Sequence, residues 1–140
     1  MEKKVILTIR AEQNYEGQEP DAVELVSEGI LAKTDDGWQI CYEESDLTGL
    51  QGATTIFEVT TGRIVLSRSG ALESRMVFEE GVRHDSLYQL DVGALMVCVC
   101  AKKIDASLTE DGGYMDVTYA ILVEQSAAGT VRYHIDVTPS

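Results

Sequence analysis

Three cysteines, two histidines and a handful of paired carboxylates are the residues through which this 140-residue chain could do chemistry. Cys98-Val99-Cys100 puts two thiols on one face of an extended strand, with Cα atoms about 6.6 Å apart. That spacing suits a chelate, but a zinc site needs two more ligands, and Cys41, His84 and His134 stand at no motif spacing from the pair. A buried cysteine acting as a small hydrophobe is commoner, so the pair is expected in the core, with no metal or other cofactor. The doublets Glu43-Glu44 and Glu79-Glu80 send their side chains to opposite faces of a strand, so neither is a ready acid/base pair. His84 and His134 sit in no nucleophile motif, and His134 reads as a solvent-facing strand residue. No nucleophile elbow, P-loop, dinucleotide fingerprint or His-Glu-x-x-His occurs. The reading leans away from an enzyme, and no catalytic residue is assigned.

Strand parity draws one constellation together. Trp38, Ile40, Tyr42 and Glu44 share a face, as do Ile64, Leu66 and Arg68. Ser74, Met76, Phe78 and Glu80 form a third face, and His84, Ser86, Tyr88 and Leu90 a fourth. Each is largely apolar yet carries ionisable groups toward one end. If these faces line an interior, Glu44, Arg68, Glu80, His84 and Tyr88 gather as a buried polar cluster beside Trp38, Tyr42 and Phe78. An interior arginine flanked by carboxylates can orient a ligand carboxylate or polar head. The competing reading is a structural ion-pair network, or groups that emerge at a rim.

Such faces need strands to present them. Val, Ile and Thr supply 34 residues, a β-branched load that favours strand over helix. Apolar residues alternate at Met115, Val117, Tyr119, Ile121 and Val123, and again at Val131, Tyr133, Ile135 and Val137. Residues 94–101 are apolar on both faces and are expected to be covered on both. Asp36-Gly37, Thr61-Gly62, Ser69-Gly70 and Asp111-Gly112-Gly113 carry the chemistry of tight reverse turns. Ten strands are predicted, near 4–11, 21–34, 37–44, 53–60, 63–69, 73–80, 84–90, 93–108, 113–125 and 129–138. No window of ten residues reads as helix; 45–51 could hold a single turn. With only 2 prolines and no linker, residues 1–140 read as one domain, an all-β antiparallel barrel that is closed or nearly so.

Charge bounds the partners. Lys and Arg number 11 against 24 Asp and Glu, a net charge of −13. Residues 1–62 hold 13 acids and 4 bases; residues 63–140 hold 11 and 7. Phosphate binding needs a basic footprint, so nucleic acid and anionic membrane are not expected partners. The first ten residues lack the apolar run of a secretory leader, and no stretch approaches the roughly 20 apolar residues of a membrane span. Three cysteines cannot all pair within one chain. A cytoplasmic protein is expected.

Two segments, Tyr42-Glu43-Glu44-Ser45-Asp46-Leu47-Thr48-Gly49-Leu50 and Met76-Val77-Phe78-Glu79-Glu80-Gly81-Val82-Arg83-His84, carry a resemblance. Together with Arg68-Ser69-Gly70, the Tyr88-to-Gly93 stretch and Asp111-Gly112-Gly113, they resemble the YwiB-like family of small bacterial proteins, a domain of unknown function. The resemblance runs over essentially the whole chain. It implies a calycin-type, lipocalin-like β-barrel, and it carries no catalytic residues to transfer. Relatives tend to have a Thr-Pro-Tyr-Gly-like turn where this chain has Leu90-Asp91-Val92-Gly93; without proline that turn is less rigid. The expected function is a non-enzymatic barrel that binds a small anionic or amphipathic ligand. The alternative is an interaction module whose acidic region, residues 12–46, binds a basic partner.

Overall fold

Alternation and turns translate directly into strands. The computed structural model describes residues 2–15, 17, 19–45, 51–70, 73–90, 93–123 and 126–140. Ten strands follow in chain order: β1 (Glu2–Tyr15), β2 (Asp21–Lys33), β3 (Gly37–Glu43), β4 (Ala53–Thr60) and β5 (Arg63–Gly70). They continue with β6 (Ser74–Glu79), β7 (Arg83–Leu90), β8 (Gly93–Thr109), β9 (Gly112–Val123) and β10 (Ser126–Pro139). Among the described residues there is no helix, and none long and apolar enough to cross a membrane. Most of the single turn expected at 45–51 lies outside the described residues.

All ten strands belong to one antiparallel sheet in the order β6-β5-β4-β3-β2-β1-β10-β9-β8-β7. β1 and β10, the first and last strands, pair side by side at its centre, from Val5 opposite Pro139 to Tyr15 opposite Gly129. The sheet curls until its terminal strands meet at the β6–β7 turn. There Gly81 N–H donates to the Ala101 carbonyl at 2.9 Å, and Glu79 and Glu80 form isolated bridges to Val82 and Ala101. The result is a nearly closed barrel, which leaves few free edges.

Inward-facing residues fill the barrel, as the period of two requires. Leu7, Ile40, Phe57, Ile64, Phe78, Val99, Met115, Val117 and Ile135 are wholly buried. Val97, Val99 and Ala101 of β8 point inward, but Cys98 and Cys100 are only half-buried on the outer face, and Met96 is 52% exposed. The expectations that β8 is covered on both faces and that the cysteine pair lies in the core are thus corrected. A barrel of one sheet has a single core, and residues of opposite parity must face out. At the β8–β9 hairpin, Gly112 and Gly113 have φ of 103° and 139°; a Cβ at either would strike a carbonyl oxygen, of Val137 or Ser107.

β2 departs from the pattern. It pairs with β1 from Asp21 to Ala32, but with β3 only from Ile30 opposite Cys41 to Lys33 opposite Trp38. Above Gly29 the two strands diverge and the wall splits.

Candidate cavity and its polar floor

In an up-and-down meander, successive strands run in opposite directions. Let the upper rim be where β1, β3, β5, β7 and β9 end. Glu44 follows the last residue of β3 and Arg68 lies near the end of β5, so both reach the upper rim with inward parity. Thr55 of β4 stands between them, opposite Tyr42 on one side and Arg68 on the other.

These residues form a buried network. Arg68 Nε lies 3.5 Å from Glu44 Oε2, and the two side chains are 7% and 1% exposed. Thr55 Oγ1 donates to Glu44 Oε2 and accepts from Arg68 Nε at 3.3 Å. Arg68 Nη2 donates to the Tyr133 hydroxyl at 3.0 Å, tying β5 to β10 across the barrel. Burial, and then the Glu44 charge, push the Tyr42 phenol well above its ordinary value, so Tyr42 stays neutral. Ser74, opposite Arg68 on β6, buries its Oγ with no hydrogen-bond partner among the described residues.

Above this floor lies a cavity of about 230 Å³. Tyr15, Tyr42, Tyr119 and Tyr133 line it with Arg68 and Glu44, and Ile9, Leu25, Ile121 and Val131 supply apolar wall. Burial raises the Tyr15 phenol, with Tyr133 adding to the shift. The site is therefore a phenol-rich chamber of mixed polar and apolar lining with one ion pair at its base.

Only part of the expected cluster assembles. Tyr42, Glu44 and Arg68 meet at the upper rim. Phe78 is buried in the core against Tyr119, ring centroids 4.4 Å apart, and does not line the cavity. Trp38 sits half-buried near the lower rim, with Lys33 Nζ 4.9 Å from its ring centroid. Glu80 is exposed, and its Oε1 accepts from Ile104 N–H at 2.8 Å beside the bulge in β8 between Ala101 and Lys103. His84 pairs with Glu79 at 3.1 Å, partly exposed. The interior placement of Glu80 and His84 is corrected: β6 ends and β7 begins at the lower rim, the far end from Arg68. The Tyr88 side chain lies outside the described residues.

Sequence reasoning misses Thr55, Tyr15, Tyr119 and Tyr133. Tyr119 and Tyr133 stand on apolar faces in the sequence, and their hydroxyls are the available signal, since a buried phenol seeks a partner. Among the described residues, no three His, Cys, Asp or Glu side chains converge as metal ligands. Burial, then a hydrogen bond to Asp85, push the Cys98 thiol up, away from the reactive thiolate.

Comparison with known proteins follows the same lines. The chain is 31% identical over 78 residues to the uncharacterised β-barrel protein YwiB of Bacillus subtilis (strain 168), a span that takes in 56% of this chain and 53% of that relative. The crystal structure of the ywiB protein from Bacillus subtilis superposes with a TM-score of 0.77 at 20% identity, covering 96% of this chain and 92% of the other. That likeness is one of fold. Residues 7–135 match the DUF1934 model, a domain of unknown function, and the chain belongs to that family of β-barrel proteins.

Proposed function

We propose that this protein is a non-enzymatic, calycin-like binding barrel that takes a small amphipathic ligand into the upper-rim cavity. The observation that carries the reading is the tyrosine-lined chamber of about 230 Å³ ending on Arg68 and Glu44. An apolar cavity of about 150 Å³ accepts benzene, so this one has room for a substituted ring or a short branched chain. Its hydroxyls and ion pair supply the few convergent polar groups that orient such a ligand.

The ion pair also favours an uncharged polar group over an anion. Glu44 already sits against the Arg68 guanidinium, so a carboxylate ligand would have to compete with it. The net charge of −13 opposes an anion's approach as well. The three free cysteines suit a reducing, cytoplasmic setting.

Native mass spectrometry of protein purified from its own host, followed by denaturation, tests for a bound small molecule. A panel of small phenols, alcohols, carboxylates and fatty acids, scored by thermal shift, tests the class. Ala11, buried at the cavity wall, supplies the control: Ala11→Phe should fill the chamber, abolish ligand shifts and leave the barrel folded. Shifts that persist in Ala11→Phe would place the ligand elsewhere.

A further inference from the structure

The split between β2 and β3 adjoins the cavity, sharing Leu25, Tyr42 and Glu44 with it, and carries a separate inference about what docks there. Among the described residues, 21–29 of β2 bond to β1 on one side and have no β3 partner on the other. On alternate residues their N–H and C=O groups therefore face the split. On the opposite bank, Tyr42 and Glu43 pair with β4 but not with β2. Gly29 marks the parting: a Cβ there would lie 2.9 Å from the Cys41 carbonyl oxygen, so the strands touch at this point and separate above it. The groove is a solvent-open depression of about 890 Å³ that runs over the split and on to Lys4 and Ser140. Among the described residues, three of the five exposed large hydrophobics, Val23, Val26 and Ile30, lie on β2.

We propose that this groove docks an extended polypeptide segment that alternates apolar and basic residues and adds a strand to the edge of β2. Parity dictates the alternation. Inward positions of an added strand would meet Leu25 and Tyr42, with Ser27 and the buried, Arg68-paired Glu44 beside them. Outward positions would lie among the exposed carboxylates Glu28 and Glu43, with exposed Val26 between Glu28 and Glu24, whose carboxylate already pairs with Arg10 at 3.0 Å. Main-chain hydrogen bonds to the edge supply affinity, and the alternating side chains supply selectivity. A second copy of this chain fits poorly. Two β2 edges would bring Glu24 and Glu28 against their own kind, in molecules that each carry −13.

The probe is a fluorescent octapeptide alternating Val and Lys, titrated by anisotropy against the whole protein. Its controls are the same residues with a central Pro-Pro interruption, and an octapeptide alternating Val and Glu. The alternating basic peptide should bind at least tenfold more tightly than either control. The double reversal Glu28→Lys and Glu43→Lys, at exposed positions, should weaken binding at least tenfold with an unchanged circular dichroism spectrum. Amide exchange should show new protection on alternate residues between 22 and 28. Equal binding of the proline-interrupted peptide would overturn the proposal, as it would reveal mere charge attraction. Protection confined to other strands would overturn it too. So would β2 amides already fully protected in the free protein, which would mean that the edge is occupied by the chain itself, or by a second copy if sedimentation shows a dimer.

Discussion

Arg68 announces its own environment. Its parity with Ile64 and Leu66 puts a guanidinium on an apolar face, where burial demands a counter-charge, and Glu44 supplies it. Removing one partner of a buried pair leaves the other uncompensated, so Arg68→Ala should destabilise the protein by about 3–5 kcal/mol in urea unfolding. Arg68→Lys keeps the charge but loses the fork that reaches both Thr55 and Tyr133, and should recover only part of that loss. A cost below about 0.5 kcal/mol for both would mean that the pair contributes no more than an ordinary surface site. Tyr133 is less legible, because a tyrosine on an apolar face reads first as filler; only the partner across the barrel reveals its role. His134 offers a second test, on the outer face of β10. Its Nδ1 lies 2.8 Å from Asp116 and its Nε2 lies 3.1 Å from Asp136. Burial works to lower its pKa, but the hydrogen bonds to Asp116 and Asp136 outweigh it and hold the imidazole above its usual value. Asp116 is also partly desolvated, yet Arg132 and His134 hold its carboxyl below the usual range. With the folded value raised, the stabilisation from His134 is fully present below the unfolded pKa of about 6.5 and lost as pH rises through the folded value. The stability gap between wild type and His134→Gln should therefore shrink between pH 6 and pH 9. A histidine NMR titration with its midpoint at or below 6.5 would refute this.

At the scale of strands, the sequence is most legible where apolar residues alternate. All ten strands lie where glycine turns and period-two runs put them. β1 extends further, to Tyr15, because Glu12, Gln13 and Asn14 pair with Arg132, Val131 and Thr130 of β10. Backbone pairing of polar residues leaves no hydrophobic signature, so that end is hidden. The misplacement of Glu80 and His84 is of another kind. Parity alone says which face a residue takes, while the direction of each strand says which rim it reaches. In a meander of consecutive hairpins that direction alternates, so the separation of Glu44 and Arg68 from Glu80 and His84 follows from the strand count itself. The split beside β2 is not readable this way, because pairing length is settled by how the barrel curls. Gly29 gives it a test. A Cβ at this position would meet Leu7 Cδ1 at 2.6 Å and the Cys41 carbonyl oxygen at 2.9 Å, and Leu7 is fully buried. Gly29→Ala should cost about 1–3 kcal/mol, the usual range for an overpacked site. Ser27→Ala, on the same face two residues away, should cost less than about 0.5 kcal/mol. If the two variants melt alike, β2 and β3 do not meet at Gly29.

For the whole molecule, the governing quantity is net charge. A charge of −13 on a barrel of this size repels itself, with 24 Asp and Glu against 11 Lys and Arg. Self-repulsion destabilises the compact state. Salt screens it, with a Debye length that falls from about 30 Å at 0.01 M to about 10 Å at 0.1 M. The melting temperature should therefore rise as sodium chloride goes from 10 to 300 mM. For a chain of this length, about 1 kcal/mol corresponds to a rise of roughly 3–6 °C. Surface pairs work in the opposite sense. Arg10 with Glu12 and Glu24, and Arg132 with Asp116, weaken as salt rises, but exposed pairs contribute only about 0–1 kcal/mol each. With acids outnumbering bases about two to one, repulsion outweighs pairing and sets the sign. The buried Arg68–Glu44 pair is shielded from ions, so the penalty of Arg68→Ala should be the same at both salt concentrations. Those two expectations separate the molecule's electrostatics into a salt-dependent exterior and a salt-independent interior. A melting temperature that stays flat or falls with sodium chloride would show that local pairing, not net charge, governs the exterior. An Arg68→Ala penalty that shrinks with salt would show that ions reach the cavity floor.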